Sequence, residues 1–245
     1  MSRSILFLTP QLPFPPRQGT AIRNWGLISH LARRHAVSLL SFAEADQRTL
    51  APALRAVCQP VVTVPVPRRT KRERLRTLFA GQADLVHRLW SPDFERNLSD
   101  LLALTRFDAV HLEGLEMAPY LSTVLAKAAR TRVVYDAHNA EHLLQRRVFA
   151  ADARRWQRWP AALYSKLQTP RLAALEAAVC RAVDGVVCVS AEDGRALQKL
   201  VPELSPLIVP NGIDVADYAV VPPRPPDLAT GGDDLVFTGK MDYRP

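Results

Sequence analysis

The sequence predicts an α/β protein with a doubly wound parallel sheet, in which helices cover both faces of the sheet. Short apolar runs rich in β-branched residues alternate with segments of helical periodicity from Ile5 to Val209. This alternation is typical of βαβ units, whose strands lie parallel. The composition agrees, because 48% hydrophobic and 23% charged residues are typical of a globular protein with a sizeable core.

Each apolar run predicts one strand, and the segments between the runs predict helices. The strands are expected at Ile5–Thr9, Ala36–Phe42, Val61–Val64, Asp108–Leu112, Arg132–Asp136, Asp184–Ser190 and Pro206–Val209. After a proline-rich loop over residues 10–19, apolar residues at helical spacing predict an amphipathic helix over Ala21–Arg34. The longest helix is expected from about Pro170 to Ala182.

The chain changes character at Val220. Residues 220–234 are rich in proline, glycine and acidic residues and have no periodicity, which predicts a linker. Residues 1–219 are therefore expected to form one domain, and residues 235–245 the first strand of a second, truncated domain. Because a lone strand leaves its backbone groups unpaired, we do not expect Leu235–Thr238 to be a fully paired central strand.

The excess of basic residues favours anionic partners. The net charge is +8 and the pI is about 9.9. One basic cluster spans residues 68–76, and a second spans residues 146–171 and interleaves Trp156, Trp159 and Tyr164. The second cluster is compatible with a membrane surface of anionic head groups, with nucleic acid, or with a solvated helix face. Nucleic acid is not expected as a partner, because no nucleic-acid-binding motif is present.

The cysteines and the apolar runs favour the cytoplasm. Cys58, Cys180 and Cys188 form neither a C-x-x-C pair nor a disulfide framework, which favours a reducing compartment. No apolar run reaches the roughly 18 residues that a membrane span requires. We therefore expect a cytoplasmic protein that is not integral to a membrane, with peripheral contact at the inner face of the membrane left open.

The turn after the first strand is the first candidate site. Gly19 and Thr20 precede a helix, where a glycine lets a ligand approach the backbone and free N–H groups attract an anion. The alternative is an ordinary helix start with Thr20 as its N-cap. No G-x-G-x-x-G motif follows the strand, which argues against a nicotinamide-binding domain.

The second candidate site follows the strand that ends at Asp136. His138, Asn139 and Glu141 lie at the carboxyl end of a parallel strand, where open α/β sheets bind their ligands. The segment from His138 to His142 also matches the H-x-x-E-H zinc pattern, but His138 is expected in the loop before the helix. A further alternative is a helix N-terminus capped by Asn139.

The third candidate site is a single glutamate, and the fourth is a dipeptide. Glu113 ends a strand beside a glycine and is a candidate base or hydroxyl acceptor, with a solvated loop glutamate as the alternative. His111, two residues earlier, is expected to be a core histidine. Asn211-Gly212 is a strong turn signal and by itself indicates no more than a turn.

These motifs in this order resemble the retaining GT-B glycosyltransferases of family 4. The matching segments are the proline-rich loop with Gly19, DAVHLEG, VVYDAHNAEH, a helix with Glu176 ahead of AVDGVVCVS, PNGID and FTGK. The resemblance covers essentially the whole chain and implies the Rossmann-like N-terminal domain of the GT-B fold. A narrower likeness to transferases of exopolysaccharide and exosortase systems rests on LPFPPRQG, IRNW and FTGKMDYRP.

The resemblance implies a reaction. Family members bind the nucleotide-sugar donor mainly in the C-terminal domain and the glycan or lipid-linked acceptor mainly in the N-terminal domain. They transfer the sugar with retention, generally without a metal, so no cofactor is expected. The acidic residues that grip the donor sugar would lie beyond Pro245, and we expect this chain alone to be inactive.

The resemblance also assigns roles to residues. Gly19 and Thr20 match the family's loop near the donor diphosphate, although many members carry two glycines there. Glu113 stands where some members carry a histidine, so the resemblance leaves the acid–base roles there open. Glu113 and His138 are the candidate catalytic residues because both follow strand ends. The candidate substrate-binding residues are Gly19, Thr20, Arg23, Asn139, Glu141 and Lys240, of which Lys240 matches a diphosphate contact.

A basic α/β module without catalysis, which binds a membrane surface or nucleic acid, is the alternative function. Membrane contact also agrees with the transferase interpretation, because lipid-linked acceptors lie at the inner membrane. The transferase interpretation predicts that the strand-end residues converge on one cleft. It further places Glu113 and His138 at the surface of that cleft.

Overall fold

The fold is a seven-stranded sheet in which every neighbouring pair of strands is parallel. This computed structural model describes residues 2–44, 51–70, 81–213, 215, 219 and 220. The strands are β1 Ser4–Thr9, β2 Ala36–Ala43, β3 Val61–Pro65, β4 Ala109–Glu113, β5 Arg132–Ala137, β6 Gly185–Cys188 and β7 Leu207–Ile208. Their order is β3-β2-β1-β4-β5-β6-β7, which confirms the predicted fold class and all seven strands.

Helices connect the strands within the described ranges. They are α1 Gly19–Leu31, α2 Ala51–Arg55, α3 Asp84–Arg88, α4 Pro92–Leu104, α5 Leu121–Lys127, α6 Glu141–Ala153, α7 Trp159–Ala182 and α8 Ala191–Leu200. Two 3₁₀ turns occupy Leu115–Tyr120 and Trp156–Arg158. No helix in this part of the chain is both long enough and apolar enough to cross a bilayer.

The predicted start of the longest helix was wrong. We expected it at Pro170, but α7 begins at Trp159 and contains Pro170. An interior proline normally disfavours a helix because it removes a backbone hydrogen bond. Here α7 packs along α6, and it buries side chains on both sides of the proline, Ser165 and Leu172 among them. Tertiary packing therefore outweighs the local preference.

The core lies on both faces of the sheet because successive strand residues point to opposite sides. On β1, Leu6 and Leu8 join a large cluster on one face, while Ile5 and Phe7 join a smaller cluster with Ile28 of α1 on the other. Helices thus cover both faces, as the doubly wound arrangement requires.

The strand order reverses between β1 and β4. The chain runs outward from β1 to β3 on one side and from β4 to β7 on the other. Loops diverge at the carboxyl end of such a reversal and leave a crevice in which ligands of α/β proteins bind. The predicted linker and second domain, residues 221–245 with Leu235–Thr238 and Lys240, lie outside the described residues.

We expect replacement of Phe94 by alanine to lower the free energy of unfolding by about 3–5 kcal/mol. The Phe94 side chain is fully buried and its ring lies 4.5 Å from that of Phe42 and 4.4 Å from that of Tyr120. Leu104→Ala on the same helix is the control, because Leu104 is 85% exposed and its truncation should change stability by less than about 0.5 kcal/mol. Denaturant titration followed by circular dichroism measures both, and equal losses would contradict this account of the core.

Candidate functional site

A cavity of about 1180 Å³ opens at the carboxyl end of the sheet. The loop that follows β1 and the first turn of α1 form one side of it, with Arg17 and Thr20 among the lining residues. His138 and Glu116, which follow β5 and β4, form the floor nearest the sheet. The far side is lined by residues that include Arg69, Arg88 and Tyr164.

Glu113 lies behind this cavity rather than on its surface. Its carboxylate is fully buried at the end of β4, so the prediction of a surface position was wrong. Its Oε1 lies 2.7 Å from Nδ1 of His111, and its Oε2 lies 2.9 Å from Nε2 of His138. The amide of Asn24, with its nitrogen oriented toward the carboxylate, donates to Oε2 at 2.7 Å and to the carbonyl of Thr20 at 3.2 Å. Both oxygens of the Glu113 carboxylate are therefore bonded to protein groups.

The two histidines decide the charge of Glu113. Burial raises the pKa of Glu113, but the charges and hydrogen bonds of His111 and His138 outweigh it and lower the pKa to about 2. Burial lowers the pKa of His138, but the hydrogen bond and charge of Glu113, with the charges of Asp136 and Glu116, raise it overall. Glu113 is thus a carboxylate at neutral pH, and it favours the protonated form of His138.

His138 lines the cavity, and one of its two ring nitrogens is already bonded. Because Nε2 is held by Glu113, Nδ1 is the atom free to meet a ligand. Gly114, which follows β4, has a φ of 83° that favours glycine, and an added Cβ would lie 2.7 Å from Oε2 of Glu116. That Cβ would also stand 3.9 Å from Nδ1 of His138. His111, expected as a core histidine, is partly buried and paired with Glu113.

The guanidinium group of Arg23 is buried and bonded to other protein groups. Its side chain is 4% exposed, and its Nη2 lies 2.8 Å from Oδ2 of the buried Asp136. Its Nε donates to the same carboxylate at 3.1 Å, and its Nη1 donates to the carbonyl of Val209 at 2.8 Å and to Oδ1 of Asn211 at 3.2 Å. All three nitrogens are engaged, so we correct the assignment of Arg23 to substrate binding: it joins α1 to β5 and to the segment after β7.

Metal-ligating atoms come together behind the cavity but are already paired. Within the described residues, His111, Glu113 and Asp136 offer ligand atoms that all lie within 4.8 Å of one another. The imidazole of His111 binds Glu113, and the guanidinium of Arg23 binds Asp136. Burial and the charge of Glu113 raise the pKa of Asp136, although Arg23 opposes this. We attribute the cluster to ion pairing and assign no metal to it.

The H-x-x-E-H segment does not form a zinc site. His138 precedes α6, and its Nε2 binds Glu113. His142 lies in α6, and its Nδ1 lies 2.5 Å from Oε2 of Glu176. The two imidazoles therefore face different carboxylates instead of sharing one helical face.

Glu176, not Asn139, caps α6. This fully buried carboxylate reaches from α7 and accepts hydrogen bonds from the backbone N–H groups of Glu141 at 2.6 Å and His142 at 3.1 Å. Asn139 is exposed and only approaches Oε1 of Glu141, at 3.4 Å. Burial, with the charges of Glu116 and Glu176, raises the pKa of Glu141 to about 7.

The candidate residues that follow the strands lie at the same edge of the sheet, but only some of them line the cavity. Thr20 and His138 line the cavity, and Gly19 begins the helix beside it. Asn139 and Glu141 follow His138 at the start of α6. Thr20 is not the helix cap, because the cap is Gln18 without a side-chain bond. Sequence reasoning missed Asn24, which a spacing of four residues places on the same face of α1 as Thr20.

A parallel sheet with a crevice at its reversal, bordered by a helix N-terminus and a buried carboxylate–histidine cluster, is typical of a Rossmann-like ligand-binding domain. Comparison of the sequence with models of protein families identifies the family. The model of Glycosyltransferase Family 4 matches residues 17–217, which is most of the chain. The chain therefore belongs to glycosyltransferase family 4.

Solved structures resemble this chain at low sequence identity. UGT2 of Phytolacca americana, solved with UDP-2fluoro-glucose and pterostilbene, is 11% identical with a TM-score of 0.50 over 84% of this chain and 53% of its own. The N-terminal domain of trehalose-6-phosphate phosphatase from Candida albicans is 12% identical with a TM-score of 0.48, over 89% of this chain and 50% of its own. This chain spans about half the length of these structures. No curated protein sequence matches it.

The pKa of Glu141 predicts a pH dependence of stability. A carboxyl whose pKa rises on folding from 4.5 to about 7 stabilises the fold while it is protonated, so this contribution falls as the pH rises through that range. The loss between pH 5 and pH 8 should be at most about 3 kcal/mol, at 1.36 kcal/mol per pKa unit. Glu141→Gln cannot ionise and should lack this loss. Urea titrations at both pH values measure it, and parallel losses in the two proteins would disprove it.

Proposed function

We propose that this chain forms the acceptor-side half of a glycosyltransferase that transfers a sugar from a nucleotide-sugar donor with retention. The proposed acceptor is a glycan or a lipid-linked glycan of exopolysaccharide or cell-envelope biosynthesis. The observation that carries the proposal is the open cavity at the sheet reversal, with His138 on its floor and the N-terminus of α1 on its wall. Membership of glycosyltransferase family 4 supports the same reaction class.

The first turn of α1 is suited to the donor diphosphate. Its N-terminal N–H groups have no side-chain cap and no acidic residue beside them, so they present positive charge to the cavity edge. A Cβ at Gly19 would meet no protein atom within 4 Å, so packing does not require a glycine there. Close approach of a ligand to the backbone is the reason that we propose for it. Lys240, beyond the described residues, is proposed as a second diphosphate contact.

The cavity is suited to an acceptor with several hydroxyl groups. Its volume of about 1180 Å³ lies just above the range of about 300–1,000 Å³ that is typical of ligand pockets. On the far wall, Arg88 can donate hydrogen bonds to hydroxyl or anionic groups, whereas Arg69 and the hydroxyl of Tyr164 already contact the carboxylate of Asp84. Glu141 and Asn139, near His138, are proposed to orient the acceptor hydroxyl.

His138 is the residue that we propose to act on the substrate. Held through Nε2 by a carboxylate, its protonated ring would donate from Nδ1 to an oxygen whose charge grows during transfer. Glu113 is proposed to act through His138, because its own oxygens do not reach the cavity. This role changes the earlier assignment of Glu113 from an acid or base to a positioning residue.

A direct test uses the chain in its full enzyme, together with the donor domain. Transfer from a panel of nucleotide sugars should yield a product whose anomeric configuration, read by proton NMR, equals that of the donor. His138→Ala should lower turnover about a hundredfold, whereas His30→Ala, at an exposed histidine, should not. Glu113→Gln removes the charge that favours protonated His138, so the decline of the rate with rising pH should begin at lower pH. An inverted product, or normal turnover in His138→Ala, would refute the corresponding part of the proposal.

A second test separates donor binding from folding. Gly19 and Gly26 both lie in α1, and neither would place a Cβ within 4 Å of other protein atoms. Gly19→Val should raise the KM for the nucleotide sugar at least tenfold, because the side chain would stand where the diphosphate meets the helix N-terminus. Gly26→Val should leave that KM unchanged. Equal KM values in the two variants would exclude Gly19 from the donor site, and thermal melts check that both variants fold.

A further inference from the structure

The helices α6 and α7 form a helical hairpin. The chain reverses at the short turn Trp156–Arg158, and the two helices pack along each other. Glu176 of α7 accepts a hydrogen bond from the start of α6. From Glu176, α7 runs back 17 residues along the sequence to Trp159, a distance of about 25 Å at 1.5 Å per residue. The turn and the first residues of α7 therefore form a tip, which we define as residues 154–167.

One side of the tip is an exposed apolar stripe. Trp156 is 75% exposed, Trp159 64%, Leu163 59% and Leu167 45%. Trp159, Leu163 and Leu167 are spaced by four residues, which places them on one face of α7, and Trp156 lies in the turn directly before this helix. Two neighbouring exposed tryptophans with two exposed leucines form an apolar patch of the kind that marks an interaction site.

The charge around the stripe is strongly positive. Between His142 and Leu175 the chain carries seven arginines and lysines but only one acidic residue, Asp152. That residue is buried and pairs with Arg158 at 2.7 Å. Among the described residues no carboxylate pairs with Arg154, Arg155 or Lys166, and all three are exposed.

Two arginines of this segment are already paired with carboxylates, which reduces the set of residues that can contact lipid head groups. Arg147 lies 2.5 Å from Glu192, and Arg158 is held by Asp152. Neither is free to bind head groups without giving up its partner. The surface therefore centres on the tip and not on the whole basic cluster of residues 146–171.

The opposite side of the same helix faces the candidate site. The hydroxyl of Tyr164 lies 3.2 Å from Oδ2 of Asp84, and Oε1 of Gln168 accepts from the backbone N–H of Asp84 at 2.9 Å. Tyr164 also lines the cavity. The apolar stripe and the cavity wall are thus carried by one segment of α7.

We propose that the tip of the α6–α7 hairpin inserts Trp156, Trp159, Leu163 and Leu167 into the surface of an anionic lipid bilayer, with Arg154, Arg155 and Lys166 on the head groups. Tryptophan settles at the boundary between head groups and acyl chains, and cationic side chains beside it add attraction to anionic lipids. Resting on the proposed function, this contact brings the cavity to the membrane, where a lipid-linked acceptor is presented. A partner protein would match the apolar stripe equally well, but the uncompensated positive charge favours lipid.

Vesicle binding of the 245-residue chain tests the proposal without any turnover. Binding to vesicles with 30% phosphatidylglycerol should exceed binding to pure phosphatidylcholine at least tenfold. Trp156→Ala/Trp159→Ala should lower it at least tenfold, and Leu104→Ala, at an apolar residue 85% exposed on another helix, should not. Lipids brominated on their acyl chains should quench the fluorescence of the wild type but not that of Trp156→Phe/Trp159→Phe, which keeps Trp25 and Trp90.

Several outcomes would overturn the proposal. Equal binding of the wild type and the double alanine variant would remove the tryptophans from the contact, and absent quenching would exclude insertion. A self-association that Trp156→Ala/Trp159→Ala abolishes, seen by sedimentation without lipid, would make the tip an interface between copies of the chain.

In the full enzyme the double variant should raise the KM for a lipid-linked acceptor and leave the KM for a short soluble acceptor unchanged. Vesicle binding by an enzyme that transfers no sugar would refute the proposed function alone.

Discussion

The carboxylate of Glu113 is ionised and has no exposed surface, and the geometry of the site depends on how this charge is compensated. An unpaired buried charge would cost several kcal/mol, so its partners are needed for the fold as well as for the site. His111 and His138 supply two of its hydrogen bonds, and Asn24 of α1 supplies a third. In the neighbouring strand Asp136, in register with Glu113, is compensated by Arg23 of the same helix.

These linked pairs hold together elements that are distant in the sequence. Through Asn24 and Arg23, α1 is fixed against the ends of β4 and β5, and Arg23 continues to the segment after β7. The helix N-terminus and His138 are thereby held on two sides of one cavity. The proposed sugar transfer would require the reactants to be held in place, and the buried ion-pair network joins the elements that border the cavity.

The α6–α7 hairpin carries the surface that we propose for membrane binding. Its inner end is fixed by Glu176, which satisfies the first N–H groups of α6. Its outer end exposes apolar and basic side chains, while Tyr164 and Gln168 keep the same helix in contact with the cavity wall through Asp84. Binding at the tip and binding in the cavity would therefore be arranged by one element, as a membrane-bound acceptor requires.

The sequence by itself determined the strands, the fold class and the edge at which the candidate residues gather, because apolar periodicity and strand ends are local properties of the chain. Only the tertiary structure showed that Glu113 is buried and that Arg23 is occupied. A charged residue is normally expected at the surface, and Arg23 meets Asp136 across 113 residues of sequence. The start of α7 was missed for a similar reason. Pro170 disfavours a helix locally, whereas packing against α6 stabilises it.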